Sequence, residues 1–156
     1  GAKHLARSSG RFYHEVHLGA GFKGPQVGWL DARFAEGEFT GEGVGDDAHG
    51  WAADGQRHKQ WHQGGAVQAQ WPRDWCADDV IGCAIDFEGG LMTFSSNGEW
   101  VRDAAMAFRP EGLSLFPAVS MAGPFELHIP RASWHFAPPE EAYDAWASAG
   151  TFARPT

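Results

Sequence analysis

The chain is 156 residues long, enough for one domain with a real core, and it carries 8 tryptophans and 11 phenylalanines against 2 tyrosines. Its 20 acidic and 12 basic side chains leave a formal charge of -8, which disfavours a nucleic-acid backbone or an anionic membrane surface as partner because both repel an acidic protein. Two cysteines are too few for a disulfide scaffold, and no apolar run reaches the length of a membrane span.

The opening GAKHLARSSG has no apolar stretch of signal-peptide type. RFYHEVHL at 11–18 alternates, with Phe12, His14, Val16 and Leu18 on one face and Tyr13, Glu15 and His17 on the other. PQVGWLDA at 25–32 is a short apolar run centred on Val27, Trp29 and Leu30, and FTGEGVG at 39–45 turns at glycines. GWAADG at 50–55 predicts a strand closed by an Asp-Gly turn at Asp54-Gly55. Residues 79–101 read as a hairpin looping at Glu88-Gly89-Gly90, followed by a tight turn at Asn97-Gly98. LSLFPAVSM at 113–121 and FELHIP at 125–130 are two further strands. Only PPEEAYDAWASAG at 138–150 predicts a helix, with Pro and Glu at its start and Gly150 where a cap belongs. Strand after strand, without strand–helix–strand alternation, the order predicts an all-β antiparallel sandwich of two sheets with a short C-terminal helix.

The segment DDAHGWAADGQRHKQWHQG at 46–64 concentrates acids, histidines and tryptophans. His58 and His62 are four apart, which suits zinc only on a helix, and the flanking glycines argue against one. Asp46-Asp47 and Asp78-Asp79 are paired acids of the kind calcium favours, but the spacing of a calcium loop is missing, and Asp47 or Asp79 is expected to accept backbone N–H groups and shape a turn. No nucleophile motif and no pair of carboxylates stands out, so catalytic residues, metals and cofactors are all expected to be absent. Trp61 is expected in the core, and Arg57 either bridges loop carbonyls or stacks on an indole.

Six pieces in order resemble a SPRY domain: GRFYHEV at 10–16, QVGWLD at 26–31, residues 43–64, WCADDVIGCAIDF at 75–87, MTFSSNGE at 92–99 and LFPAVSM at 115–121. The middle block is most similar to the SPRY domains of ryanodine receptors and of some large ubiquitin ligases. The resemblance implies a bent, concanavalin-like two-sheet sandwich over 8–137, a tail over 138–156, no enzymatic activity, and binding of a protein, a peptide or another domain of the same protein through loops along one edge. It leaves two alternatives: a structural domain of a large channel or ligase assembly with no separable ligand, and a lectin-like sandwich whose tryptophans stack on sugars. Loops at 19–25, 31–39 and 46–50 are expected to carry the recognition surface. Phe22, Lys23, Phe34, Asp46, Asp47, Arg57 and Trp75 are the candidate contacts, since exposed aromatic and Arg residues on loops anchor peptides. The net charge favours a basic or mixed partner. Both cysteines are expected to be reduced, which suggests a cytoplasmic domain, monomeric when isolated. His14 and His17 stand where the family usually has apolar or acidic residues; they are either neutral and hydrogen-bonded or make stability depend on pH between about 5 and 7.

Overall fold

A computed structural model describes residues 3–33, 43–63 and 65–147. Within them the chain forms β1 (Arg11–Leu18), β2 (Lys23–Asp31), β3 (Gly50–Asp54), β4 (Lys59–His62), β5 (Gly65–Gln68), β6 (Val80–Asp86), β7 (Leu91–Ser96), β8 (Glu99–Trp100), β9 (Met106–Ala107), β10 (Leu115–Ala122), β11 (Phe125–His128) and β12 (Asp144–Ala145). One sheet has the order β11-β1-β6-β7-β8, with β12 on β1 and β9 on β7; the other has the order β10-β2-β3-β4-β5. The two strands flanking the Ala-Gly-Pro turn at 122–124 therefore lie in different sheets, β10 beside β2 and β11 beside β1.

The period-two alternation decides which faces meet. Val16 and Leu18 from β1, Val27 and Trp29 from β2, Trp51 and Ala53 from β3, and Ile81, Cys83 and Ile85 from β6 fill the space between the sheets with Phe94 and Leu115. Trp29 is completely buried and lies 5.5 Å from the Phe94 ring. The first strand is buried on its other face too. Tyr13 and Ala84 sit under Tyr143, with Trp100 and Trp134 alongside, and Glu15 has no exposure at all. The segment from 129 to 146 crosses this outer face as a strap. The outer face of the five-stranded sheet is covered separately: Leu30, Ala52, Phe116 and Ala118 pack under Val44.

The predicted turns are present where the backbone requires them. Ser96 pairs with Glu99, and the two intervening residues Asn97 and Gly98 have φ of 49° and 83°, the mirror-image turn that Asn-Gly favours. The Asp54 turn is wider than a two-residue loop, because Asp54 pairs with Lys59 and four residues intervene.

The C-terminal helix is a correction. Residues 138–147 contain only turns and the short strand β12, which runs parallel to β1 with Phe12 opposite Asp144 and Tyr13 opposite Ala145. On a helix Tyr143 and Trp146 would share one face. The extended path instead lays Tyr143 on the outer face over Tyr13 and carries Trp146 round the edge to Phe12, 4.9 Å away, and His14, 6.3 Å away. Two arginines hold the backbone in this path, Arg131 donating to the Tyr143 carbonyl at 3.0 Å and Arg7 to the Trp146 carbonyl at 2.9 Å. Burying two large rings outweighs the modest propensity of so short a helix. Gly150 and the rest of the tail lie outside the described residues.

Candidate interaction surface

The turn after β3 is organised by one carboxylate. Asp54 is fully buried at the end of the strand; its Oδ1 accepts the N–H groups of Gln56 at 3.0 Å and Arg57 at 2.9 Å. Its Oδ2 takes the Arg57 Nε and the Trp61 indole N–H, the latter at 3.3 Å. The Arg57 guanidinium is thereby held over the Trp61 ring, 4.9 Å from its centroid, and the Lys59 ammonium lies 5.7 Å from the same ring. Trp61 rests half-buried on the cluster of Leu30, Ala52 and Phe116. Gly45, at φ 94°, crosses so close that a Cβ there would lie 2.6 Å from the Trp61 Cβ, so only glycine fits.

The loop between β1 and β2 is tied to this turn. The Gln56 side chain accepts the Gly24 N–H at 2.9 Å and donates to the Phe22 carbonyl at 3.5 Å. This places exposed Lys23 beside the Arg57 turn. Arg57 and Lys59 thus place two cations on a half-exposed indole, with Lys23 exposed on the adjoining loop, in a chain of net charge -8. Asp54→Ala is expected to cost about 2–4 kcal/mol in urea unfolding, because it leaves an indole N–H, two backbone N–H groups and a guanidinium without their acceptor. Asp47→Ala, which removes one solvated turn bond, is expected to cost less than about 1 kcal/mol.

Of the loop residues expected to make contacts, Lys23 and Arg57 lie on this surface. Phe22 and Trp75 do not, and their exposure is corrected: both are buried, at 7% and 3%. Phe22 packs into the main core under the turn at Gly123. Trp75 stands edge-on to Trp71 at 4.9 Å and directly beneath Gly55, where a Cβ would collide with the indole at 2.0 Å. It supports the Asp54 turn from below. Asp46 and Asp47 are half-buried and serve their own loop: Asp46 accepts from Gln26 at 2.7 Å and from the Gly43 N–H, and Asp47 accepts the His49 N–H at 2.8 Å. Phe34 lies outside the described residues, as does most of the 31–39 loop.

Asp79 shapes its turn as its position suggests, accepting the Cys76 N–H at 2.9 Å, the Asn97 amide at 3.0 Å and Arg73 at 2.9 Å. Burial alone would raise its carboxyl; these donors outweigh burial and hold it below the ordinary carboxylate range. His58 and His62 do not converge. His58 turns outward to Asp74 at 2.6 Å, while His62 stacks on Trp51 at 4.4 Å. Both cysteines are free, Cys76 exposed and Cys83 buried. No helix among the described residues is long and apolar enough to cross a membrane. Sequence reasoning missed Gln56 and Lys59. The available signal was the period-two spacing of Lys59 and Trp61 after the turn, which puts both on one face.

Comparison with known proteins agrees with this architecture. The family model described as the SPRY domain matches residues 11–129. The chain belongs to the SPRY domain family. SPRY domains are generally non-catalytic protein-interaction modules. An E3 ubiquitin-protein ligase of Arabidopsis thaliana, RKP, is 32% identical over 117 residues, which cover 72% of this chain and 8% of the ligase. This SPRY domain therefore corresponds to a small part of that relative.

Proposed function

We propose that this SPRY domain is a non-catalytic module inside a larger intracellular protein, and that it captures a peptide or a neighbouring domain through Lys23, Gln56, Arg57, Lys59 and Trp61. The observation that carries this reading is the half-exposed Trp61 ring, held with Arg57 by the buried Asp54 carboxylate and approached by Lys59 as a second cation. A tryptophan beside an arginine on rigid elements is the composition of a binding hot spot. The charge of the whole chain points to a basic partner, but the local charge is positive. The segment that fits this patch carries an acidic side chain beside an apolar or aromatic one. A docking role within the parent chain uses the same surface, and the relative's much greater length supplies room for such a neighbour. The lectin reading has less support from tryptophan content than the sequence suggests, since Trp29, Trp51, Trp71, Trp75 and Trp146 are buried and only Trp61, Trp100 and Trp134 are half-exposed.

The test is capture of binding segments from a peptide library, compared between the native domain and Lys23→Glu/Lys59→Glu. Both lysines take part in none of the hydrogen bonds that hold the turn, so the variant folds. Selected peptides are expected to be acid-bearing and to lose affinity about tenfold or more in the variant. Peptides retained equally by both proteins would move recognition to another surface.

A further inference from the structure

A second group of side chains lies on the opposite sheet, away from the Trp61 surface. β11 pairs antiparallel with β1 so that His17 stands opposite Glu126 and Glu15 opposite His128. With a side-chain period of two, all four project from the same outer face, and His17 and His128 are diagonal neighbours. One donor atom from each of His17, Glu126 and His128 lies within 4.8 Å of the others. The Glu126 Oε2 is the hub, 3.3 Å from His128 Nε2 and 4.0 Å from His17 Nδ1. His128 Nε2 is buried and makes no hydrogen bond, although that carboxylate oxygen is its neighbour.

We propose that His17, Glu126 and His128 form a binding site for a divalent transition-metal ion, with zinc the best match to two imidazoles and one carboxylate. Zinc holds nitrogen and oxygen ligands at about 2.0–2.1 Å in a tetrahedron, which sets neighbouring donors about 3.3 Å apart. One pair already has that spacing, and the others, within 4.8 Å, close to it by a shift of at most about 1.5 Å, which the exposed Glu126 side chain can supply by rotation. Magnesium and calcium prefer oxygen donors and fit this set poorly.

Two neighbours flank the cluster. Asp78 Oδ1 lies 3.6 Å from His17 Nε2, leaving Nδ1 as the nitrogen nearest Glu126. His135 packs edge-on to His128, with ring centroids 5.0 Å apart, and its Nδ1 lies 3.3 Å from the buried Glu15 Oε1. It walls one side of the cluster, while the Glu126 side chain is 72% exposed. A bound ion would clip the edge strand β11 to the central strand β1. The signal was invisible along the sequence because His17 and Glu126 are 109 positions apart and meet only through the strand register.

The test is calorimetric titration of the chelator-treated native protein with zinc chloride near neutral pH, with cobalt chloride as a spectroscopic substitute. One zinc ion per chain is expected, and cobalt is expected to give the intense visible absorption of a tetrahedral site. Glu126→Gln and His17→Gln alter side chains that are 72% and 30% exposed, so both variants fold. Each is expected to weaken zinc binding about tenfold or more. His58→Gln, which breaks the separate pair with Asp74, is expected to change nothing. Absence of zinc binding, or binding unchanged by both Glu126→Gln and His17→Gln, would overturn the proposal.

Discussion

Glu15→Ala is expected to lower stability by about 3–5 kcal/mol, the cost of breaking a buried charged network by removing one member. Glu15 lies on the outer face of the central strand with no solvent exposure. Its oxygens accept the His135 N–H at 2.6 Å, the Phe136 N–H at 2.8 Å and the Tyr13 hydroxyl at 2.8 Å. Two of these donors come from the strap that covers the sheet, 120 and 121 positions away. The Tyr13 hydroxyl stays a donor throughout the working pH range, because burial first and the Glu15 charge second push its pKa far above the ordinary value. Alanine leaves all three donors without an acceptor and opens a void beneath the strap at His135 and Phe136. For a domain of this size the loss corresponds to roughly 10 °C in melting temperature. Glu15→Gln keeps the shape and part of the acceptor capacity and is expected to lose less. Hydrogen exchange separates this local effect from a global one: the amides of 135 and 136 lose protection before those of β6. A loss below about 1 kcal/mol for Glu15→Ala would show that the ring contacts alone hold the strap.

Glu15 also shows what the sequence could and could not reveal. Alternation over 11–18 placed it opposite Val16, and alternation read alone makes such an acid a solvated residue. It is buried because a distant strap covers that face, and no local pattern announces the strap. The same cause lies behind the C-terminal helix that did not form, where tertiary burial of Tyr143 and Trp146 overrode a reasonable local signal. Legible features were those whose physics is local. Asn97-Gly98 fixes a hairpin through its own backbone angles, and Asp79 shapes a turn with a donor three residues away. The candidate surface was half legible. Lys23 and Arg57 followed from their loops, but Phe22 and Trp75 sit beside turn residues and still bury their rings beneath the turns. Net charge averages over the whole surface and does not reveal that Arg57 and Lys59 both lie against the Trp61 ring.

The second large effect concerns pH. The His14 ring is fully buried between Trp29, 5.7 Å away, and Trp146, and neither ring nitrogen has a partner. Burial lowers its pKa from 6.5 to about 3. The neighbouring strand offers no charge to offset this: His14 pairs with Cys83, whose thiol burial pushes well up and so keeps neutral. The sign follows from proton counting. Below pH 6.5 the unfolded chain binds a proton at this position and the folded chain does not, so stability falls as pH falls from about 6.5 toward 3. At 1.36 kcal/mol per unit, the loss is about 2 kcal/mol at pH 5 and approaches roughly 5 kcal/mol at pH 3. The lowered carboxyls of Asp31, Asp79 and Asp86 act in a separate window, their stability being present above the ordinary carboxylate value of 3.8 and lost below it. His14→Leu keeps a similar volume and removes both unsatisfied nitrogens. It is expected to raise stability by about 1–3 kcal/mol at pH 7 and to remove about 2 kcal/mol of the loss between pH 6.5 and 5. Urea unfolding at half-unit steps of pH, native against variant, isolates this residue, since every other titrating group is common to both. Parallel curves would show that the His14 ring finds a proton acceptor in the folded core and that the acid sensitivity of the domain arises elsewhere.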